Sequence, residues 1–315
     1  MKLRAIFLLL VSWLASWLFG AAWAGDFDYH LDPYRLTEDT YVFIGKAEDF
    51  TRQNGGNIVN TAFIVTADGV VVIDTGSTRR YGEQMREAIA GVTPKPVTHV
   101  FNTHDHPDHF LGNQAFKDVP IYALPETIAG EQAMGNAFAD NVYRLAGDWA
   151  EGTEPVPAKH AVKAGHMPIG GHDLEIFAWG GHTAGDMAIF DHTTGVLFAA
   201  DLVFYNRAAT TPHAVLANWF ASLDRIQKIP FKVMVPGHGL PVMDARAIEQ
   251  TRSYLHWLDR TLREAAKNGA EMTEVLAQPI PPEFSGIALV ASEYARSIAH
   301  LYRSYEAQTL LPAGH

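Results

Sequence analysis

The densest chemistry in this 315-residue chain lies in the run Thr103-His104-Asp105-His106-Pro107-Asp108-His109. Three imidazoles and two carboxylates fall within six residues, directly after the apolar stretch Val97 to Phe101, which reads as a short strand. Strand ends are where layered α/β folds place their sites. Residues two apart in an extended segment point the same way, so His104 and His106 can present their rings to one ion. Pro107 then bends the chain, and Asp108 and His109 can turn toward a second ion. A loop with one or two histidines is ordinary. This many ionisable groups in an otherwise hydrophobic frame would be costly to bury, and coordination of a metal removes that cost. The chain has no Cys, so any ion must be held by imidazole and carboxylate, and no thiolate nucleophile or disulfide is available.

The run resembles the H-x-H-x-D-H motif of the metallo-β-lactamase superfamily. Four further elements resemble that family's in the same order, over about 165 residues. Val70-Val-Val-Ile-Asp74-Thr-Gly76 is similar to its early strand, and Gly181-His182-Thr183-Ala184-Gly185-Asp186 to its next metal motif. Phe198-Ala-Ala-Asp201 is similar to the strand that ends in a bridging carboxylate, and Pro236-Gly-His238-Gly239 to its last histidine motif. The resemblance implies a ligand set: His104, His106 and His182 on one ion, Asp108, His109 and His238 on the other, and Asp201 bridging both. It also implies two Zn²⁺, although iron or manganese would suit the same donors. Asp108 is the expected catalytic residue, orienting a metal-bound hydroxide as nucleophile. Asp74 is expected to orient a ligand or its loop through hydrogen bonds. Asp105, Tyr205, Asn206, Arg207 and His213 could serve the site or simply their loops. Histidines outside the motifs, such as His166, His172 and His192, read as solvated or structural.

The elements that must position these groups follow from pattern. Thr40 to Ile44, Asn57 to Thr66 and Gly69 to Asp74 read as strands, with a turn at Ala67-Asp68-Gly69. A helix is expected over Tyr81 to Ala90, the strand at Val97 to Phe101, then strand Ile121 to Ala123 and helix Glu126 to Ala139. Strands follow at Leu174 to Trp179, Met187 to Asp191, Val196 to Ala200 and Val233 to Val235. Helices are expected over Ser222 to Ile229, Asp244 to Asn268 with Gly269 as its stop, and Ala291 to Gln308. Mixed sheets with helices outside make an α/β (α+β) fold. The family resemblance implies a four-layered αββα sandwich, here with C-terminal helices.

Lys2 and Arg4, the apolar run Ala5 to Ala22 and the small residues around Ala24 have the layout of a secretory signal peptide cut after Ala24. The expected organisation is therefore a signal at 1–24 and one metallo-β-lactamase-type domain at 25–315, with a helical extension from about 244 to 315. An uncleaved anchor is the competing reading, because the run is about long enough to span a bilayer. Removing the signal takes the formal charge from −11 to −13, and so acidic a chain repels polyanions, which argues against a nucleic-acid partner.

The expected function is an exported dinuclear zinc hydrolase, periplasmic or secreted, that acts on an acyl bond of a small molecule: a thioester, lactone or amide. An Asp at position 201 makes the site more similar to glyoxalase II than to class B1 and B2 β-lactamases. Lys46-Ala-Glu-Asp-Phe50, Asn54 to Thr61 and Asp74 to Ser77 resemble quinoprotein relay system zinc metallohydrolases, which implies a periplasmic quinoprotein or sulfur-oxidation setting. The alternatives are a subclass B3-like β-lactamase and, from another class, a non-catalytic metal-binding accessory or redox relay protein.

Overall fold

The computed structural model describes residues 27–310. The expected signal peptide lies outside the described residues. Clustering divides the chain at His30. In the first unit, the His30 amide donates to Asp28 Oδ1 at 2.7 Å.

Two sheets and seven helices account for the described residues. The first sheet has β1 (Tyr34–Arg35), β2 (Thr40–Phe43), β3 (Thr61–Val65), β4 (Val70–Ile73), β5 (Val97–Phe101), β6 (Ile121–Ala123) and β7 (His160–Ala161), side by side in chain order. β1 to β4 run antiparallel; β4 to β7 run parallel. The second sheet has the order β12-β11-β10-β9-β8, from β8 (Gly165–Ile169), β9 (His172–Trp179), β10 (Asp186–Asp191), β11 (Val196–Phe204) and β12 (Val233–His238). Only its β11–β12 pair is parallel.

Alternate residues explain how the sheets stack. Ala62, Ile64, Val71 and Ile73 of the first sheet meet Leu174, Ile176, Met187, Ile189, Val196 and Phe198 of the second in one apolar layer. The opposite face of β3 and β4 is covered too, which is why the strands read as continuous apolar runs. Helix α1 (Arg79–Val92) lies there, burying Tyr81, Met85 and Ile89, with the Tyr81 hydroxyl 3.0 Å from Thr61 Oγ1. Thr78 starts α1 by accepting from the Tyr81 amide.

On the outer face of the second sheet, a larger core joins Ala188, Leu197 and Val203 to α4 (Leu216–Ile226), α5 (Arg246–Lys267) and α7 (Val290–Leu310). Ile248, Leu255, Leu258 and Leu262 form the buried stripe of α5, at the spacing the sequence showed. Gly269, φ 67°, takes the left-handed conformation expected just after a helix end. The remaining helices are α2 (Pro107–Phe110), α3 (Pro125–Ala146) and α6 (Met272–Leu276). The layers are those of the expected αββα sandwich.

Several boundaries differ from expectation. The strand expected from Asn57 begins at Thr61, because the Asn60 side chain is committed to the end of β12: its Nδ2 donates to Pro236 O at 2.8 Å and to Gly239 O, just beyond the strand, at 2.6 Å. The helix expected over Ser222 to Ile229 spans Leu216–Ile226. The strand expected to stop before Asp201 continues to Phe204, with the backbone kinked at Ala200, φ 46°.

Candidate metal centre

The cluster forms where the C-terminal ends of strands from both sheets meet. Beyond β5, the Thr103 amide and hydroxyl both donate to the Asp74 carboxylate at 2.8 Å. Pro107 does more than bend the chain: it opens the short helix α2, whose first turn carries Asp108 and His109. His104 and His106 sit in the bend before it, not in a strand, and still face the same group of donors. His109 Nδ1 lies 2.7 Å from Asp74 Oδ2, so the ring donates there and its Nε2 points into the centre.

The second sheet supplies the rest. The loop between β9 and β10 is tied by the Asp186 carboxylate, which accepts from the amides of His182 and Thr183 and from the Thr183 hydroxyl at 2.6 Å. Gly181 passes so close to α4 that a Cβ would lie 2.4 Å from Trp219 Cα, and its φ is 140°. Held this way, His182 Nδ1 donates to Thr210 O at 3.0 Å, leaving Nε2 3.3 Å from Asp201 Oδ2. At the end of β12, His238 Nδ1 donates to Ile58 O at 2.7 Å, and its Nε2 lies 3.4 Å from both Asp108 Oδ2 and Asp201 Oδ2.

All seven residues singled out from the sequence are therefore buried together. They fall into two groups, His104, His106, His182 and Asp201 in one, Asp108, His109 and His238 in the other, with candidate donor atoms within 4.8 Å of one another in each. Asp201 reaches across: Oδ2 lies 3.3 Å from His182 Nε2 and 3.4 Å from His238 Nε2, while Oδ1 lies 3.2 Å from His109 Nε2. That contact is not aligned as a hydrogen bond. His104 Nε2, His109 Nε2 and Asp201 Oδ1 are all buried without a hydrogen-bond partner. Buried polar atoms are normally satisfied, so convergent orphans of this kind fit a cation held among them. The cluster is a divalent-metal site.

Charge within the cluster supports this. Burial, reinforced by neighbouring His109, holds the His104 pKa well below its usual value, and burial with His182 does the same for His106. Both rings are thus neutral and able to coordinate. Burial also opposes charge on His109, but Asp74, Asp201 and Asp108 outweigh it and keep that ring protonated in the absence of an ion. Burial would raise the pKa of Asp201, yet His238 and His109 hold it well below the carboxylate range. An arriving cation would displace such protons.

Residues that were ambiguous in the sequence now have places. Asp74, φ 58°, is more than a turn cap: its carboxylate fixes the His109 ring through Nδ1. His213 Nδ1 lies 2.8 Å from His106 Nε2, so it orients that ring from outside the centre. Asp105 packs against Gly130, where a Cβ would lie 1.8 Å from its Oδ2. Asn206 faces Gln250 instead of the site. His166 and His192 lie on an exposed sheet face beside Asp173 and Glu175. His172 pairs with Asp191 at 2.8 Å, a structural role as expected.

A cavity of about 550 Å³ opens over the cluster. Asp49, Phe50, Arg207 and His213 line it from loops, while Phe138, Arg144 and Leu145 of α3 and Arg296 and His300 of α7 complete the wall. Those helical residues were not recognised in the sequence, where their helices carried only a packing signal. A second cavity, beside Lys117 and Lys159, lies away from the cluster and contains none of its residues.

Residues 54–238 match the metallo-beta-lactamase superfamily. The chain is 25% identical over 285 residues to the linear primary-alkylsulfatase of a Pseudomonas species, covering 76% of this chain and 53% of that protein. It is 26% identical over 140 residues to the hydroxyacylglutathione hydrolase of Thermosynechococcus vestitus, covering 43% of this chain and 46% of that one. The chain thus spans about half the length of the curated relatives it matches. Among solved structures, a metallo-beta-lactamase from Pontibacter korlensis superposes with a TM-score of 0.59 at 24% identity, over 72% of this chain and 99% of that one. The chain belongs to the metallo-beta-lactamase superfamily. Its named relatives are hydrolases, which is the enzyme class expected from the motifs.

Proposed function

We propose that the protein is a dinuclear zinc hydrolase that cleaves an acyl bond, such as a thioester, lactone or amide, in a small molecule. His104, His106 and His182 would hold one ion and Asp108, His109 and His238 the other, with Asp201 contacting both. The observation that carries this reading is the pair of Asp201 oxygens aimed at the two donor groups, beside the orphaned nitrogens of His104 and His109. Ions held by these residues would supply an acidified water and polarise the oxygen of the bond to be cut. Asp108 borders the cavity and can accept a hydrogen bond from that water, turning it toward the acyl carbon. As the water oxygen bonds to the acyl carbon, the bond to the leaving group breaks, and the proton that water gives up, by way of Asp108, passes to the leaving group. Asp74 and His213 act on the reaction only by fixing the rings of His109 and His106.

A second reading, sulfate-ester hydrolysis, is favoured by the relative named an alkylsulfatase, whose match covers 76% of this chain. Likeness to solved β-lactamases concerns the fold, and a β-lactamase activity ranks below both. Export to the periplasm and service to a quinoprotein or sulfur-oxidation system are part of the proposal, supported by the N-terminal pattern and by motif resemblance. No helix among the described residues is long and apolar enough to cross a membrane.

The test is a panel of thioester, lactone, β-lactam, sulfate-ester and phosphoester substrates offered to the zinc-loaded protein beside Asp108→Asn. Turnover of an acyl substrate that Asp108→Asn abolishes is the expected result. Turnover of sulfate esters alone would select the second reading. Two ions bound without turnover of any class would transfer the assignment to a non-catalytic accessory protein. Mass spectrometry of periplasmic extracts tests export, the expected N-terminus being Gly25.

A further inference from the structure

The chain is strongly acidic, with a formal charge of −11, yet outside the cluster carboxylates Asp108 and Asp201 the wall of the cavity is mainly cationic. Apart from the cluster itself, three guanidinium groups and a single carboxylate face it: Arg144, Arg207 and Arg296 against Asp49. The residue that orders two of these cations stands behind the wall. Glu293 is fully buried and does not line the cavity; its Oε1 lies 2.9 Å from Arg296 Nη1 and 3.5 Å from Arg207 Nη2. Arg296 is also clamped by Asp49 Oδ2 at 2.7 Å, across 247 positions of sequence. Arg207 is 4% exposed, and its Nε has no hydrogen-bond partner. Arg144, on the facing helix α3, bonds only to Asn141 at 2.5 Å and has no ion pair among the described residues. A built cationic wall therefore looks onto the cavity, with Phe50 and Phe138 beside it.

Arg296 and His300 stand one turn apart on α7, outside residues 54–238 that match the family. Of the wall's three cations, only Arg296 therefore lies beyond the matched region; Arg144 and Arg207 lie within it. Low-dielectric walls lined by one sign of charge focus the field and concentrate a ligand of the other sign. Guanidinium groups favour carboxylate, sulfate or phosphate oxygens, which match their fork of donors.

We propose that the cavity is specific for an amphipathic anion. An apolar body packs on Phe50 and Phe138, and a carboxylate or comparable anionic group, distinct from the bond to be cut, is held by Arg296 and Arg144. The proposal rests on reading this cavity as the active site.

Calorimetric titration of the zinc-loaded full chain separates it from the hydrolase reading, because it needs no turnover. The probes are 4-phenylbutyrate and its uncharged counterpart 4-phenylbutanamide. The carboxylate should bind at least about tenfold tighter, the scale of one charge-assisted hydrogen bond. Arg296→Gln and Arg144→Gln should each remove a severalfold part of that preference at unchanged zinc content, and Arg296→Lys should restore part of it. Because Arg296 also ties α7 to Asp49, the exposed Arg144 variant guards against a merely structural loss. Equal binding of the two probes overturns the proposal. So does a preference that survives both Gln variants, which would place the carboxylate on the ions. Arg-dependent binding in a protein that hydrolyses nothing would keep the subsite and remove the hydrolase; turnover indifferent to both arginines would do the reverse.

Discussion

Replacing Asp74 by Asn isolates one interaction. Asp74 is 2% exposed and lies in the left-handed region with φ 58°, which Asn tolerates as well as Asp does, so the backbone is not perturbed. What changes is the hydrogen bonding. The carboxylate accepts three bonds, from the Thr103 amide, the Thr103 hydroxyl and His109 Nδ1, at 2.8, 2.8 and 2.7 Å. The amide has a single acceptor oxygen, so its NH₂ must face at least one of these groups; only the Thr103 hydroxyl could turn to accept. Facing a donor costs about 1–3 kcal/mol for a buried unsatisfied group. The loss falls on the element that presents His109, whose Nδ1–H then has no carboxylate to fix the ring with Nε2 inward. Changes of this kind typically weaken metal binding by about 10- to 100-fold, or roughly 1.4–2.8 kcal/mol. Chelator competition, with zinc counted per chain, reads the affinity directly, and a melt in excess zinc reads stability alone. One weakened ion beside one unchanged ion is the expected pattern. Two ions bound with wild-type affinity would refute the claim that Asp74 holds His109 for coordination.

Other substitutions probe separate parts of the argument. Gly237→Ala would set a methyl 1.9 Å from Asp201 Oδ1, so it should displace that carboxylate and cut zinc content and any turnover together, as metal analysis would show. Leu258→Ala empties a fully buried position on α5 and should cost about 2–5 kcal/mol in urea unfolding while zinc content is retained. The His172 pKa is raised, chiefly by its hydrogen bond to Asp191. A raised folded pKa gives stability that is complete below the usual value near 6.5 and is lost as pH rises through the raised value. His172→Gln should therefore lose more stability at pH 6 than at pH 8, measured as urea midpoints against wild type; an equal loss at both would count against the pair.

Local motifs were the legible part of this site. His104 to His109 announce themselves because five ligand-type residues share one turn-forming stretch. His182, Asp201 and His238 are single residues whose partners are far away in sequence, and only the likeness of their surrounding motifs brought them into the set. Asp201 shows the limit of strand reading: the bend at Ala200 leaves no mark in a run of apolar residues, so the strand's extension to Phe204 was invisible. β1 and β7 were missed because two exposed residues carry no periodicity. The cationic wall was missed for a different reason. Arg144 and Arg296 look like ordinary polar positions on amphipathic helices, and only the clamp from Asp49 and the buried Glu293 gives Arg296 its place.

The donors come from both sheets: His104 to His109 follow β5 of the first, while His182, Asp201 and His238 belong to the second. The separation between the two donor sets is therefore a measure of how the sheets are stacked. A shift of a few tenths of an ångström at the Ile64, Ile189 and Phe198 layer would reach the cluster as a change in ligand spacing. With no disulfide to brace that seam, ions gripping both sides would act as its clasp. Substitutions deep in the apolar layer would then register first as slackened ion binding, well before the chain unfolds.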